Sequence, residues 1–207
     1  MEKVLEVYKR PYDEKYPIVC MDESPKQLIG ETKSPIKAVA GQDEKYDYEY
    51  IRKGVCNIFM SNEPLSGKRC VKVTERKTRV DWALFVKEIA DRYPNAEKIT
   101  LVMDNYDTHK PGAFYEAFRA QEAKDICDRF EFIYTPKHGS WLNMAEIELN
   151  VLMGQCLNRR IDSINKIQQQ VEAWQNDRNN KKATIKWRFS TEDARIKLRR
   201  LYPTFEI

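Results

Sequence analysis

The chain has 207 residues, 42% hydrophobic and 11% aromatic, which is enough to fill the core of one large domain and excludes a disordered segment. Its 36 Lys and Arg against 32 Asp and Glu leave a formal net charge of +4, which permits a polyanionic partner without requiring one. No apolar run approaches eighteen residues and the N-terminus lacks the apolar stretch of a secretion signal, so a cytoplasmic protein with no membrane partner is expected.

Residues 1–16 read as a short helix or arm, closed by Pro11 and Pro17. Ile18–Met21 is a continuous apolar run, the mark of a strand covered on both faces, and it ends at Asp22. Residues 24–53 are polar and read as a loop. Val55–Met60 and Cys70–Thr74 follow as strands, joined by the hairpin-like Asn62–Gly67. Val80–Tyr93 has helical apolar spacing at Val80, Leu84, Phe85, Ile89 and Ala90, stopping before Pro94. Ile99–Met103 is a second buried-strand run, ending at Asp104. Pro111–Cys127 predicts a helix, Phe130–Tyr134 a strand, and Trp141–Leu157 and Ile164–Trp174 two further helices.

Three strands with short links suggest a meander, and later strands alternating with helices suggest parallel additions. The expected fold is α/β, a mixed five-stranded sheet flanked by helices. Five cysteines at 20, 56, 70, 127 and 156 form no C-x-x-C pair and read as small buried hydrophobes. The basic runs Lys68–Arg79 and Lys181–Arg200 read either as solvated surface or as contacts to a polyanion.

Asp22 and Asp104 each stand at the end of an apolar strand run, where open α/β sheets gather functional groups; a turn or helix-cap role is the alternative for each. On the helix after Pro136–Ser140, Glu146 and Glu148 compete. With Leu142 as zero, about 100° per residue puts Glu146 at about 40°, inside an apolar stripe, and Glu148 at about 240°, outside it. A glutamate on the face toward the sheet calls for a metal or a salt bridge, so Glu146 is the better candidate. Three hard oxygen ligands suit Mg²⁺ or Mn²⁺, and two such ions activate a water or 3′-hydroxyl for in-line displacement at phosphorus.

CMDE at 20–23, VMDNYDTH at 102–109 and YTPKHGSWLNMAEIE at 134–148 together resemble bacterial insertion-sequence transposases of the mariner superfamily (insertion-sequence-630 type). The resemblance runs over roughly residues 17–200, and its most specific part is PKHGSWLNMAE. It implies an RNase H-like fold with a DDE triad in which Asp22, Asp104 and Glu146 are catalytic and bind two Mg²⁺, with Mn²⁺ as substitute. It further implies cut-and-paste transposition at a TA dinucleotide, DNA ends and target DNA as partners, a homodimer on DNA and a bacterial, nucleoid-associated setting. On this reading residues 1–16 are an N-terminal arm, 17–180 the catalytic domain and 181–207 a basic C-terminal segment. No recognition-helix pattern fits into the first sixteen residues, so the expectation is either that a separate helix-turn-helix half supplies end-binding or that the chain is a truncated copy.

His109, Lys137 and His138 lie in the motif loops and are candidates for DNA binding, with a helix-cap role open for His109. Asn105 and Asn143 flank two of the carboxylates as supporting groups or caps. Trp141 reads as core rather than as a base-stacking platform, and Trp174 and Trp187 are left open. Two readings compete with the transposase: another RNase H-like nuclease, and a truncated non-catalytic regulator that binds DNA or a transposase.

Overall fold

In the computed structural model, residues 1–137 and 139–202 are described; His138 and residues 203–207 lie outside them. The five strands are β1 (Ile18–Glu31), β2 (Tyr50–Glu63), β3 (Lys68–Thr74), β4 (Ile99–Met103) and β5 (Phe130–Tyr134), in the order β3-β2-β1-β4-β5. β1, β2 and β3 pair antiparallel, whereas β4 and β5 join in parallel, so the sheet is mixed as expected.

Helix α2 (Arg79–Arg92) starts with a capping box, in which Thr78 and Asp81 exchange side-chain-to-backbone hydrogen bonds. Its core face is Trp82, Ala83, Phe85, Val86, Ile89 and Ala90. The expected Val80 and Leu84 are exposed instead, because the buried stripe is phased from Trp82. α3 (Gly112–Ala117) and α4 (Ala120–Asp128) replace the single helix expected over 111–127; Phe118 is extended between them and packs against the same core as Phe114. These helices cover one face of the sheet. On the other lie α1 (Glu2–Tyr8), α5 (Met144–Leu152), α6 (Ile164–Asn180) and α7 (Thr191–Lys197). Asn179 and Gln175 of α6 hydrogen-bond the free backbone of edge strand β3 at Arg69 and Val71, which closes that edge.

Two expectations are corrected. Asp22 does not end a strand: β1 runs on to Glu31 and β2 starts at Tyr50, so the loop shrinks to 32–49. The missed portion is a solvated two-stranded ribbon with β2 exposed over 50–55, and backbone pairing sustains it without an apolar pattern. The helix expected over 141–157 divides into a 3₁₀ turn (Ser140–Leu142), α5 and a π turn (Met153–Leu157). All five cysteines are free, and Cys20, Cys56 and Cys70 are buried.

Candidate active site

The register of two strands brings the aspartates level. β1 pairs with β4 only over Ile18–Cys20, with Cys20 opposite Val102, and beyond that point the strands part. Two residues further along each chain come Asp22 and Asp104, on either side of the opening, at the carboxyl end of β4. Asp22 is 9% exposed and Asp104 half-buried.

Asn143 brings the third carboxylate to this opening. Its extended backbone caps α5, and its side-chain oxygen accepts from the Ala145 N–H at 3.1 Å. The same amide donates to the Met21 carbonyl at 2.8 Å and to Asp22 Oδ2 at 3.3 Å. The helix start is thereby tied to β1, and Glu146, half-buried in the first turn, is held on the side of Asp22. Burial pushes the Asp22 carboxyl up to about 7; the Glu23 N–H, donating at 2.8 Å, opposes this, and the charges of Glu23, Asp104 and Glu146 add to it.

His109 lies beneath Asp104, 1% exposed and stacked on Trp82 with ring centroids 5.7 Å apart. Its Nδ1 is 2.6 Å from Asp104 Oδ1 and its Nε2 3.1 Å from Glu23 Oε2. Burial disfavours the imidazolium, but the two carboxylates outweigh it and raise the histidine to about 9. Burial likewise works against the Asp104 carboxylate, and the bond with His109 more than offsets it, holding Asp104 below its usual range. Lys77 Nζ, 3.5 Å from Glu23 Oε1, adds a second cation among the described residues. His109 therefore braces Asp104 from inside and offers no surface to DNA, contrary to its sequence assignment. Lys137 is exposed on the loop before α5 and remains available; His138 falls outside the described residues. Asn105 accepts from Lys110 Nζ at 2.7 Å in its own turn.

Glu146 and Glu148 exchange the burial expected of them. Glu148 is 1% exposed, with Oε2 2.9 Å from Arg69 Nε and Oε1 accepting from Arg178 at 2.8 Å. The helical wheel, phased on Leu142, failed because the α-helix begins only after Asn143; counted from Ala145, the buried face runs through Glu148, Leu149 and Leu152. Trp141, expected in the core, is 43% exposed, because its 3₁₀ turn buries Leu142 instead. Trp174 is buried and donates to Gln155, while Trp187 is partly buried against Tyr8. Glu23 and Trp82 were missed; only the acidic doublet at 22–23 hinted at the first.

Among the described residues no three His, Cys, Asp or Glu side chains stand close enough to share one ion. The donor chemistry nonetheless fits a hard divalent cation: Asp22, Asp104 and Glu146 offer only oxygen, and burial and the neighbouring carboxylates favour a proton on Asp22 where a cation could take its place. No helix among the described residues is long and apolar enough to cross a membrane.

Residues 17–168 match the family described as DDE superfamily endonuclease. Among solved structures, the Mos1 mariner paired-end complex with Mn superposes with a TM-score of 0.57 at 15% identity, covering 88% of this chain and 56% of that one. The Mos1 strand transfer complex gives 0.55 at 15% identity over 88% and 58%, and a pre-cleavage Mos1 transpososome 0.55 at 14% over 88% and 59%. The chain thus spans a little over half the length of these structures, and the likeness establishes its fold, the RNase H-like architecture that the motifs imply. No curated protein matches the sequence.

Proposed function

The chain belongs to the DDE superfamily endonucleases, and from that premise we propose that it is the catalytic domain of a cut-and-paste DNA transposase. The observation that carries the proposal is that three carboxylates from separate elements lie near enough for the charges of Asp104 and Glu146 to act on Asp22, with the β1–β4 register and the Asn143 cap tying those elements together. Asp22, Asp104 and Glu146 would hold two Mg²⁺ or Mn²⁺ ions, which when bound activate a water or 3′-hydroxyl and stabilise the leaving oxygen.

The chain's own residues prepare that chemistry. Asn143 fixes the Asp22 carboxylate and the start of α5 together, so Glu146 cannot shift without disturbing β1. His109, held by Glu23 and stacked on Trp82, orients Asp104 through Oδ1. Asp22 surrenders its proton before it can act as a ligand, which ties activity to neutral or higher pH. No side chain need act as a covalent nucleophile, because the attacking oxygen comes from water or from a DNA 3′ end.

The DNA partner is proposed from the similarity to Mos1, whose matched structures are a paired-end complex and a strand transfer complex. Excision at inverted repeats, insertion at TA, action as a homodimer, a bacterial setting and a helix-turn-helix half supplied separately complete the reading on the strength of the motif resemblance. We assign residues 17–180 to the catalytic domain. The flanks brace it, with Arg195 of α7 bonding Glu2 of α1 at 2.7 Å and Tyr8 donating to the Leu142 carbonyl at 2.7 Å.

The test is nicking of supercoiled plasmid by the purified chain with Mn²⁺, beside Asp104→Ala and a chelator control. Cleavage that needs both the metal and Asp104 supports the proposal. Nicking that survives Asp104→Ala overturns the assignment of the site.

A further inference from the structure

Two large aromatic side chains stand in the open on the segments that carry the carboxylates: Trp141, five positions before Glu146, at 43% exposure and Tyr106, two positions after Asp104, at 51%. Leu142 is buried, and the turn that buries it directs the preceding indole outward. Phe189 meets the indole at 5.4 Å and 75°, a contact between the edge of one ring and a face of the other, so at least one indole face is left uncovered by it. Phe189 is itself held, since Trp187 Nε1 donates to its carbonyl at 2.7 Å and Lys197 Nζ lies 5.7 Å from its ring centre. Beside Trp141 opens a cleft of about 400 Å³ that Lys137 and Gly139 help to line.

Tyr106 stands two residues beyond Asp104, and its N–H donates to Asp104 Oδ1 at 3.3 Å. Its ring meets His109 edge-on at 6.0 Å, and Lys77 Nζ lies 5.4 Å from the ring centre. Tyr106 joins His109 and Trp82 on the α2 side of the sheet, whereas Trp141 joins Phe189 on the side of α1 and α7. The two rings thus stand on opposite faces of the sheet whose strands carry Asp22 and lead into Asp104, with Lys77 over Tyr106 and Lys137 lining the cleft that Trp141 also lines.

We propose that Trp141 and Tyr106 are stacking positions for two unpaired nucleotides, one on each side of the phosphodiester at the carboxylate site. A flat apolar ring beside a flexible cation matches a nucleotide's own pairing of π face and phosphate. Bases inside an intact duplex have their faces covered by neighbours, so the rings discriminate frayed or melted DNA from blunt duplex. This rests on the nucleic-acid reading of the site and adds the state of DNA it accepts.

The experiment measures binding of the whole chain, in chelator so that nothing is cut, to a blunt duplex and to one with a few unpaired nucleotides at its end. Trp141→Ala and Tyr106→Ala are each expected to weaken binding of the frayed duplex by roughly 5- to 150-fold, with blunt-duplex affinity unchanged. Trp141→Phe is expected to recover most of the loss, and unchanged thermal melting checks that the variants fold. Equal weakening on both DNAs, or no weakening on either, overturns the stacking proposal alone. Wild-type chain that binds neither DNA overturns the nucleic-acid reading and the proposal with it.

Discussion

Glu146 and Glu148 stand two residues apart on one helix in opposite electrostatic company. Glu148 lies against Arg69 and Arg178 at hydrogen-bonding distance, a charge fully answered by protein. Glu146 lies near Asp22 in a cluster that includes Glu23 and Asp104, against which the described residues set His109 and Lys77. The more deeply buried glutamate is thus the structural one. Incomplete neutralisation, rather than burial, marks a carboxylate kept for a ligand from outside.

The sharpest way to break this comparison is to remove each charge in turn. Glu146→Gln is expected to lower Mn²⁺-dependent nicking by roughly 10³-fold or more, the scale of a lost metal ligand. Its melting temperature should hold or rise slightly, since a like charge leaves the cluster. Glu148→Ala strands Arg69 in the interior and is expected to destabilise the fold by about 3–5 kcal/mol, a melting drop on the order of 10 °C. Pairing Glu148→Met with Arg69→Met should recover part of that loss, because no buried charge is left alone. If Glu146→Gln melts far lower while Glu148→Ala melts as wild type, the two roles are exchanged.

The pH dependence of metal binding sharpens the contrast further. Asp22, raised from 3.8 to about 7, stabilises the metal-free fold fully below about pH 4 and loses that contribution as pH rises through 7. His109, raised from 6.5 to about 9, contributes fully below 6.5 and loses it as pH rises through 9. Both therefore make the metal-free chain less stable between pH 4 and 9, while a divalent cation favours ionised Asp22. The increase in melting temperature on adding Mn²⁺ should be larger at pH 8 than at pH 6 and largely absent in Asp22→Asn. An equal gain at both pH values would remove Asp22 from the ligand set.

His109→Ala tests a weaker link in the same cluster. It leaves Asp104 and Glu23 without their shared partner, and a 10- to 100-fold loss in metal affinity or nicking is the usual scale for such a supporting group. A histidine that merely fills space beside Trp82 would leave metal affinity untouched, as read by Mn²⁺ titration.

What the sequence disclosed follows from local rules. Ile99–Met103 was legible to the residue because a strand covered on both faces reads as an unbroken apolar run, and the edge strand Phe130–Tyr134, interrupted by Glu131, was legible from its aromatic and β-branched residues. The ribbon at 24–31 and 50–56 was not, since its order comes from backbone pairing and from Lys26 and Arg160 reaching across to their partners. Asp22 and Asp104 could be found by their place after apolar runs, but that they stand level depends on register, which no periodicity encodes. The wheel put Glu146 inside the buried stripe and Glu148 outside it, the reverse of what the structure shows, so the choice of Glu146 rests on the motif resemblance and on its charge bearing on Asp22. His109 shows the limit most plainly: a histidine in a polar loop looks exposed until Trp82, 27 positions away, is seen to stack on it.

Asn143 is where the smallest expected effect is the most informative. Its amide caps α5, satisfies the Met21 carbonyl and touches Asp22, so one side chain spans the helix start, the strand and the site. Asn143→Asp keeps the cap oxygen and loses the donor toward Met21 and Asp22, adding another negative charge there. Asn143→Ala loses cap and donor together, with about 1 kcal/mol expected from the cap alone. Were the residue only a cap, Asp would melt as wild type and nick as wild type. Because it also sets Asp22, Asp is expected to keep most of the cap's contribution while Mn²⁺ affinity shifts, and an Asp variant unchanged in both would reduce Asn143 to a helix end.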